Sequence, residues 1–230
     1  MKTIGFIGAY NKTDLIMNVA KTLIELDRKV LVIDTTILEK SKYVVPAISP
    51  TICYMTNHEK IDFAYGFKNM DEIYKYVGLE QEEKKQEFPY DYVLIDIDRG
   101  EYFREFELES ADTNYFVTAF DLYSLKRGMT IIDEIKMPVK LTKVLFSYEI
   151  SKGDEEYLEF LSLEKNVEWS NYSIYFTILR EDAQALEENQ RVSQIRLGRL
   201  TNEYKESLSI LVQDMVKDIN INKVRKIIKG

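Results

Sequence analysis

Short apolar runs rich in β-branched and aromatic residues recur along the chain, separated by stretches whose apolar positions return every three or four residues. The runs at 3–8, 30–34, 92–98, 114–120, 142–148 and 174–179 predict strands. Most are apolar at consecutive rather than alternate positions, as strands covered on both faces are. Between them, 13–26 places Ile16, Val19, Ala20, Leu23 and Ile24 on one stripe, and 123–135 does the same with Leu125, Met129 and Ile132. The alternation predicts an α/β fold: a single domain built on a doubly wound, mostly parallel sheet with helices on both faces. In such sheets ligands bind at the carboxyl ends of the strands. The region 38–78, interrupted by Pro46 and Pro50, carries no clear period and stays unassigned. The charged run 80–87 ("EQEEKKQE") reads as a solvated helix face or loop, and no internal repeat is present.

The stretch "GAYNKTD", Gly8 to Asp14, joins the first predicted strand to the first predicted helix. A phosphate-binding turn in that place needs inward-pointing backbone N–H groups, a lysine for the outer phosphates, a Ser/Thr hydroxyl for Mg²⁺ and a helix N-terminus behind the anion. Lys12 and Thr13 sit where those groups belong. The usual glycines are replaced by Phe6 and Asn11, of which only asparagine tolerates positive φ readily. On the residues alone, a degenerate phosphate loop and an ordinary strand-to-helix turn both remain open.

Composition narrows the class. With 230 residues, 45% of them hydrophobic, the chain can bury one sizeable core. The 31 basic against 39 acidic residues give a net charge of −8, which argues against wholesale nucleic-acid binding. Cys53 is the single cysteine, so no internal disulfide forms. The N-terminus shows no cleavable signal, and no apolar run reaches the ~18 residues of a membrane span, so a cytoplasmic setting is expected. Cys53 and His58 lack a second pair to complete a metal site and read as packing residues. Asp121 reads as a helix cap, and Tyr10 is placed to block or stack on a nucleotide.

Three further segments carry a resemblance: "MNVAKTLIELDRKVLVIDTT" (17–36), "FPYDYVLIDIDRG" (88–100) and "ADTNYFVTAFDLYSLKRGMTIIDEI" (111–135). In order and spacing the chain resembles the ParA/MinD family of deviant Walker-A ATPases, with weaker likeness in "TKVLFSYE", "FTILREDAQALEENQ" and "EYKESLSILVQDMV". The resemblance implies a P-loop fold that binds ATP or ADP with Mg²⁺, works as a sandwich homodimer, and positions or assembles a machine for division, DNA partition, pili, secretion or conjugation. Residue by residue, it implies that Gly8, Asn11, Lys12, Thr13, Asp34 and Asp96 bind nucleotide, with Thr13 and Asp96 serving Mg²⁺. It also shows losses. The family's signature lysine falls at Ile7, the water-orienting aspartate at Thr36, and the "DTPPG" switch reads "DIDRG", with Asp98 and Arg99. Phosphoryl transfer rests on positioning and charge stabilisation, so hydrolysis is expected to be slow or lost. CpaE/TadZ-like members also have altered motifs, but carry an N-terminal receiver-like domain that this sequence, whose first residues read as a strand, is not expected to have. The alternative is a nucleotide-free pseudo-ATPase serving as a scaffold subunit of a secretion, pilus or conjugation apparatus, alongside a protein partner not identified by the sequence.

Two basic segments bear on partners. "RVSQIRLGRLTNEYK" (191–205) is either a solvated face or a surface for nonspecific DNA contact. The segment 221–230 reads as a tail separate from a 1–220 domain, an amphipath in which Val224, Arg225, Ile227 and Ile228 meet a membrane surface or a partner. Equally it reads as a last helix packed on the core.

Overall fold

The computed structural model describes residues 1–47, 51–79, 88–149 and 151–229. Pro50 and the run 80–87 therefore lie outside the described residues. Among the described residues eight strands form one sheet: β1 (Lys2–Ile7), β2 (Val30–Asp34), β3 (Tyr54–His58), β4 (Ile61–Tyr65), β5 (Tyr92–Ile97), β6 (Thr113–Ala119), β7 (Val139–Ser147) and β8 (Val167–Thr177). Their order is β3-β4-β2-β5-β1-β6-β7-β8. All neighbours are parallel except β3, which runs antiparallel to β4 at one edge. The doubly wound layout expected from the apolar runs is present.

Helices cover both faces. α1 (Thr13–Glu25), α6 (Arg180–Arg191), α7 (Asn202–Met215) and α8 (Ile221–Lys229) pack on one, where Val19, Leu23, Leu186, Tyr204 and Leu208 join Ile4, Phe6 and Val32. α2 (Met70–Tyr76), the short α3 (Tyr102–Glu105), α4 (Leu122–Ile135) and α5 (Lys152–Ser162) cover the other, with Ile73, Phe103, Leu125, Met129 and Leu158 against Ile7, Ile33 and Ile95. Strands buried on both faces account for the continuous apolar runs.

The region 38–78 holds a short 3₁₀ turn at Lys40–Tyr43, the β3–β4 hairpin and α2. The hairpin turns on Glu59 (φ 50°) and Lys60 (φ 68°), both left-handed. A two-residue turn of that kind ordinarily advertises itself by Asn or Gly, and here it does not.

The C-terminal segment is no detached tail. Val224 and Ile228 are fully buried in the core, Ile227 packs against it, and Arg225 pairs with Glu206 of α7. The face expected to meet lipid or a partner is turned onto the protein, and the boundary placed at 220 falls inside one continuous core. The packed-helix alternative is what the fold adopts.

Candidate functional site

The turns after β1, β2 and β5 meet at the carboxyl end of the sheet. Gly8 leaves β1 with φ 141°, its N–H donating to the Ile97 carbonyl at 3.2 Å. A Cβ at Gly8 would lie 2.3 Å from the Val117 carbonyl oxygen of β6, so close strand packing requires glycine here. The Asn11 side chain accepts from the Thr13 N–H at 3.3 Å and begins α1.

Lys12 turns back into this junction and is 2% exposed. Its ammonium donates to the carbonyls of Gly8 at 2.5 Å and Tyr10 at 3.2 Å, and lies 3.0 Å from Asp96 Oδ1. Lys12 is thus the partner of Asp96 Oδ1, at ion-pair distance but without the alignment of a regular hydrogen bond, and among the described residues no other donor reaches that oxygen. Burial pushes the Asp96 carboxyl up to about 7. Lys12 opposes that rise, and the charges of Asp34 and Asp98 add to it. Such a poorly partnered, raised carboxyl at a strand end marks a functional candidate.

Asp34 is the register partner of Asp96 across β2 and β5, yet its surroundings differ. Its Oδ1 accepts from the Thr36 N–H at 3.1 Å and hydroxyl at 2.7 Å, and its Oδ2 from the Ser41 N–H at 3.3 Å and hydroxyl at 2.6 Å. These four bonds fill the carboxylate's acceptor capacity and tie down the turn after β2. Thr13, Asp34, Ser41 and Asp96 surround a space of only about 10 Å³.

The turn after β5 is strapped on both sides. Asp98 accepts from the Ile37 N–H at 3.1 Å, and Arg99 donates to the Thr35 carbonyl at 3.0 Å with its guanidinium 4.0 Å from the Tyr102 ring centroid. The Gly100 N–H donates to Glu134 of α4, whose other oxygen takes Arg127 at 2.6 Å. Tyr10 is stacked away from the turn on Phe146 at 4.8 Å, and Phe146 on Phe176 at 4.9 Å. Asp121 caps α4 through the Ser124 N–H at 2.9 Å.

Thus Gly8, Asn11, Lys12, Thr13, Asp34 and Asp96 converge, and Val224, Arg225, Ile227 and Ile228 belong to the core helix α8. Cys53 donates to the Gly66 carbonyl, and among the described residues no trio of His, Cys, Asp or Glu is grouped to hold a metal. Sequence reasoning missed Ser41 and Glu134, which hold the turns in place. Neither has a motif, and only the fold brings them close. No described helix is long and apolar enough to cross a membrane.

No protein-family model matches the sequence, and no curated protein matches it significantly. Solved structures do. The MinC:MinD cell division protein complex of Aquifex aeolicus superposes with a TM-score of 0.64 at 13% identity, covering 96% of this chain and 97% of that one. An ATP complex of a McdA variant from Cyanothece gives 0.57 at 12% identity over 96% and 98%. A putative plasmid partition protein of Borrelia burgdorferi B31 bound to AMPPNP gives 0.55 at 12% identity over 95% and 99%. The chain has the fold of MinD/ParA-type P-loop ATPases, as its sequence leads one to expect.

Proposed function

We propose that this chain is an atypical ParA/MinD-like positioning or assembly factor that binds ATP or ADP with Mg²⁺ at the Gly8–Thr13 turn and hydrolyses it slowly or not at all. The observation that carries the reading is the buried ion pair of the Lys12 ammonium with Asp96, at the start of α1. A lysine is rarely buried unless something needs its charge. Released from Gly8 and Tyr10, it would meet phosphate oxygens, the α1 N-terminus supporting the anion.

The residues present fit a magnesium nucleotide on one ground: the only donor near the buried Asp96 Oδ1 among the described residues is the poorly aligned Lys12 ammonium, and the buried Thr13 is close by. The metal, when bound, would neutralise phosphate charge. Thr13 and Asp96 would hold it through hydroxyl and water, and with no described carboxylate cluster to cage it, it would lean on phosphate oxygens, as Mg²⁺ usually does. Asp34 would act indirectly, by holding the Thr36–Ser41 turn. Ile7 is fully buried and contributes no cation, and Thr36 offers its hydroxyl to Asp34 rather than a base to water. Arg99 is the cation we assign to reach a second copy across a dimer face.

The nucleotide-free scaffold reading draws on a different observation: the turn already satisfies Lys12 with its own carbonyls and leaves almost no space beside Thr13. A hydrolysis assay with Mg²⁺ tests the catalytic half. Turnover is expected far below that of a ParA/MinD protein with intact motifs, even with lipid or DNA added. A robust rate abolished by Lys12→Ala would refute slow catalysis.

A further inference from the structure

A second buried cation lies away from the turn. Lys143, on β7, is 6% exposed and points to the face covered by α5. Among the described residues its ammonium finds no hydrogen-bond acceptor and has one ion partner, Glu159 of α5, at 3.6 Å, whose side chain is 62% exposed. The Trp169 ring of β8 completes the surroundings, its centroid 5.7 Å from the ammonium.

Its one ionic partner is a largely exposed carboxylate, a pairing weak enough for another carboxylate to displace. Lys143 opens into a groove of about 640 Å³ between α5 and β8. The groove exists because β8 bulges: Leu141 pairs with Trp169 and Lys143 with Ser173, so Ser170, Asn171 and Tyr172 stand opposite Thr142 alone. Trp169 forms one wall, fixed by its indole N–H on Ser162 at 3.0 Å and by an edge contact with Phe116. Tyr175 lines the groove too, its hydroxyl committed to Glu155.

We propose that this groove binds a small organic monocarboxylate carried on a planar apolar body, the carboxylate replacing Glu159 on Lys143 and the body lying against Trp169. The volume suits a small molecule. Glu155 and Glu159 at the rim select against polyanions, because a doubly charged ligand would meet two like charges for one buried cation. The inference does not depend on nucleotide binding at Lys12.

Trp169 is the only tryptophan in the chain, so intrinsic fluorescence reads the groove directly. The 230-residue chain would be titrated with phenylacetate, with its neutral isostere phenylacetamide, and with inorganic phosphate. Phenylacetate is expected to give a saturable change with Kd at or below about 1 mM, the amide and phosphate binding at least about tenfold more weakly. Lys143→Met should weaken phenylacetate by at least about tenfold while circular dichroism stays native. Glu159→Gln, a surface change that cannot unfold the core, should tighten it severalfold by removing the competitor. Equal binding of acid and amide, no saturable change, or a Glu159→Gln variant that loses stability without gaining affinity would overturn the proposal and leave Lys143 a structural partner of Glu159.

Discussion

Asp34 and Asp96 stand side by side at the ends of β2 and β5, equally buried at 4% exposure, and they do opposite things. Asp34 receives four hydrogen bonds from the turn that follows it. Asp96 faces a buried lysine with an oxygen that accepts no hydrogen bond from the described residues, its carboxyl pushed up to about 7. One aspartate is spent on structure, whereas the other is held by a single, poorly aligned ion pair with Lys12. Satisfied polar groups rigidify a fold, and unsatisfied ones mark where it can take a ligand.

The largest expected effect comes from disturbing the turn that supplies Lys12. Gly8→Ala would drive a methyl into the Val117 carbonyl and shift the acceptor that Lys12 uses, at a cost of about 4 kcal/mol in chemical denaturation. Because Asp34 draws on the turn after β2, its hydrogen bonds should survive.

Asp34→Ala should cost somewhat less, about 3 kcal/mol, because it strands the buried Ser41 hydroxyl and the Thr36 donors. If nucleotide affinity fell as far as with a Lys12 variant while stability held, the division of labour between the two aspartates would be wrong.

Asp96 gives a pH signature. Its folded pKa lies above the carboxylate range of the unfolded chain, so the native state retains the proton longer and loses relative stability as pH rises from about 4 through about 7. The melting temperature of the wild type should therefore fall by several degrees between about pH 5 and pH 8 relative to Asp96→Asn, compared at each pH. Parallel profiles would remove the buried, raised carboxyl from the account.

Thr36→Asp is the smallest expected change. It would set a carboxylate against Asp34 Oδ1 in place of a donating hydroxyl, costing about 1 kcal/mol. Turnover should not rise, since the new carboxylate would be repelled by Asp34 rather than held to orient a water. A clear gain in hydrolysis would show that the missing carboxylate alone limits the chemistry.

Much of this was legible in the sequence. Consecutive apolar residues announced covered strands; Lys12 and Thr13 were singled out by their place in the first turn, and Asp96 by the family resemblance alone. The β3–β4 hairpin stayed hidden because its left-handed turn residues, Glu59 and Lys60, are not the usual turn formers. The burial of Val224 and Ile228 was equally invisible, since an amphipathic period records a face that needs cover and not what covers it. The contrast between the two aspartates was beyond reach as well: Ser41 follows Asp34 by seven residues with no motif, and Lys12 meets Asp96 only across paired strands.

Whether Lys12 and Asp96 hold a site for a magnesium nucleotide is read by calorimetric titration of the 230-residue chain with ATP and Mg²⁺. A single saturable binding event is expected, weakened at least about tenfold by Lys12→Ala. No heat of binding in the wild type, with fold and stability intact, would contradict it and leave the nucleotide-free scaffold in its place.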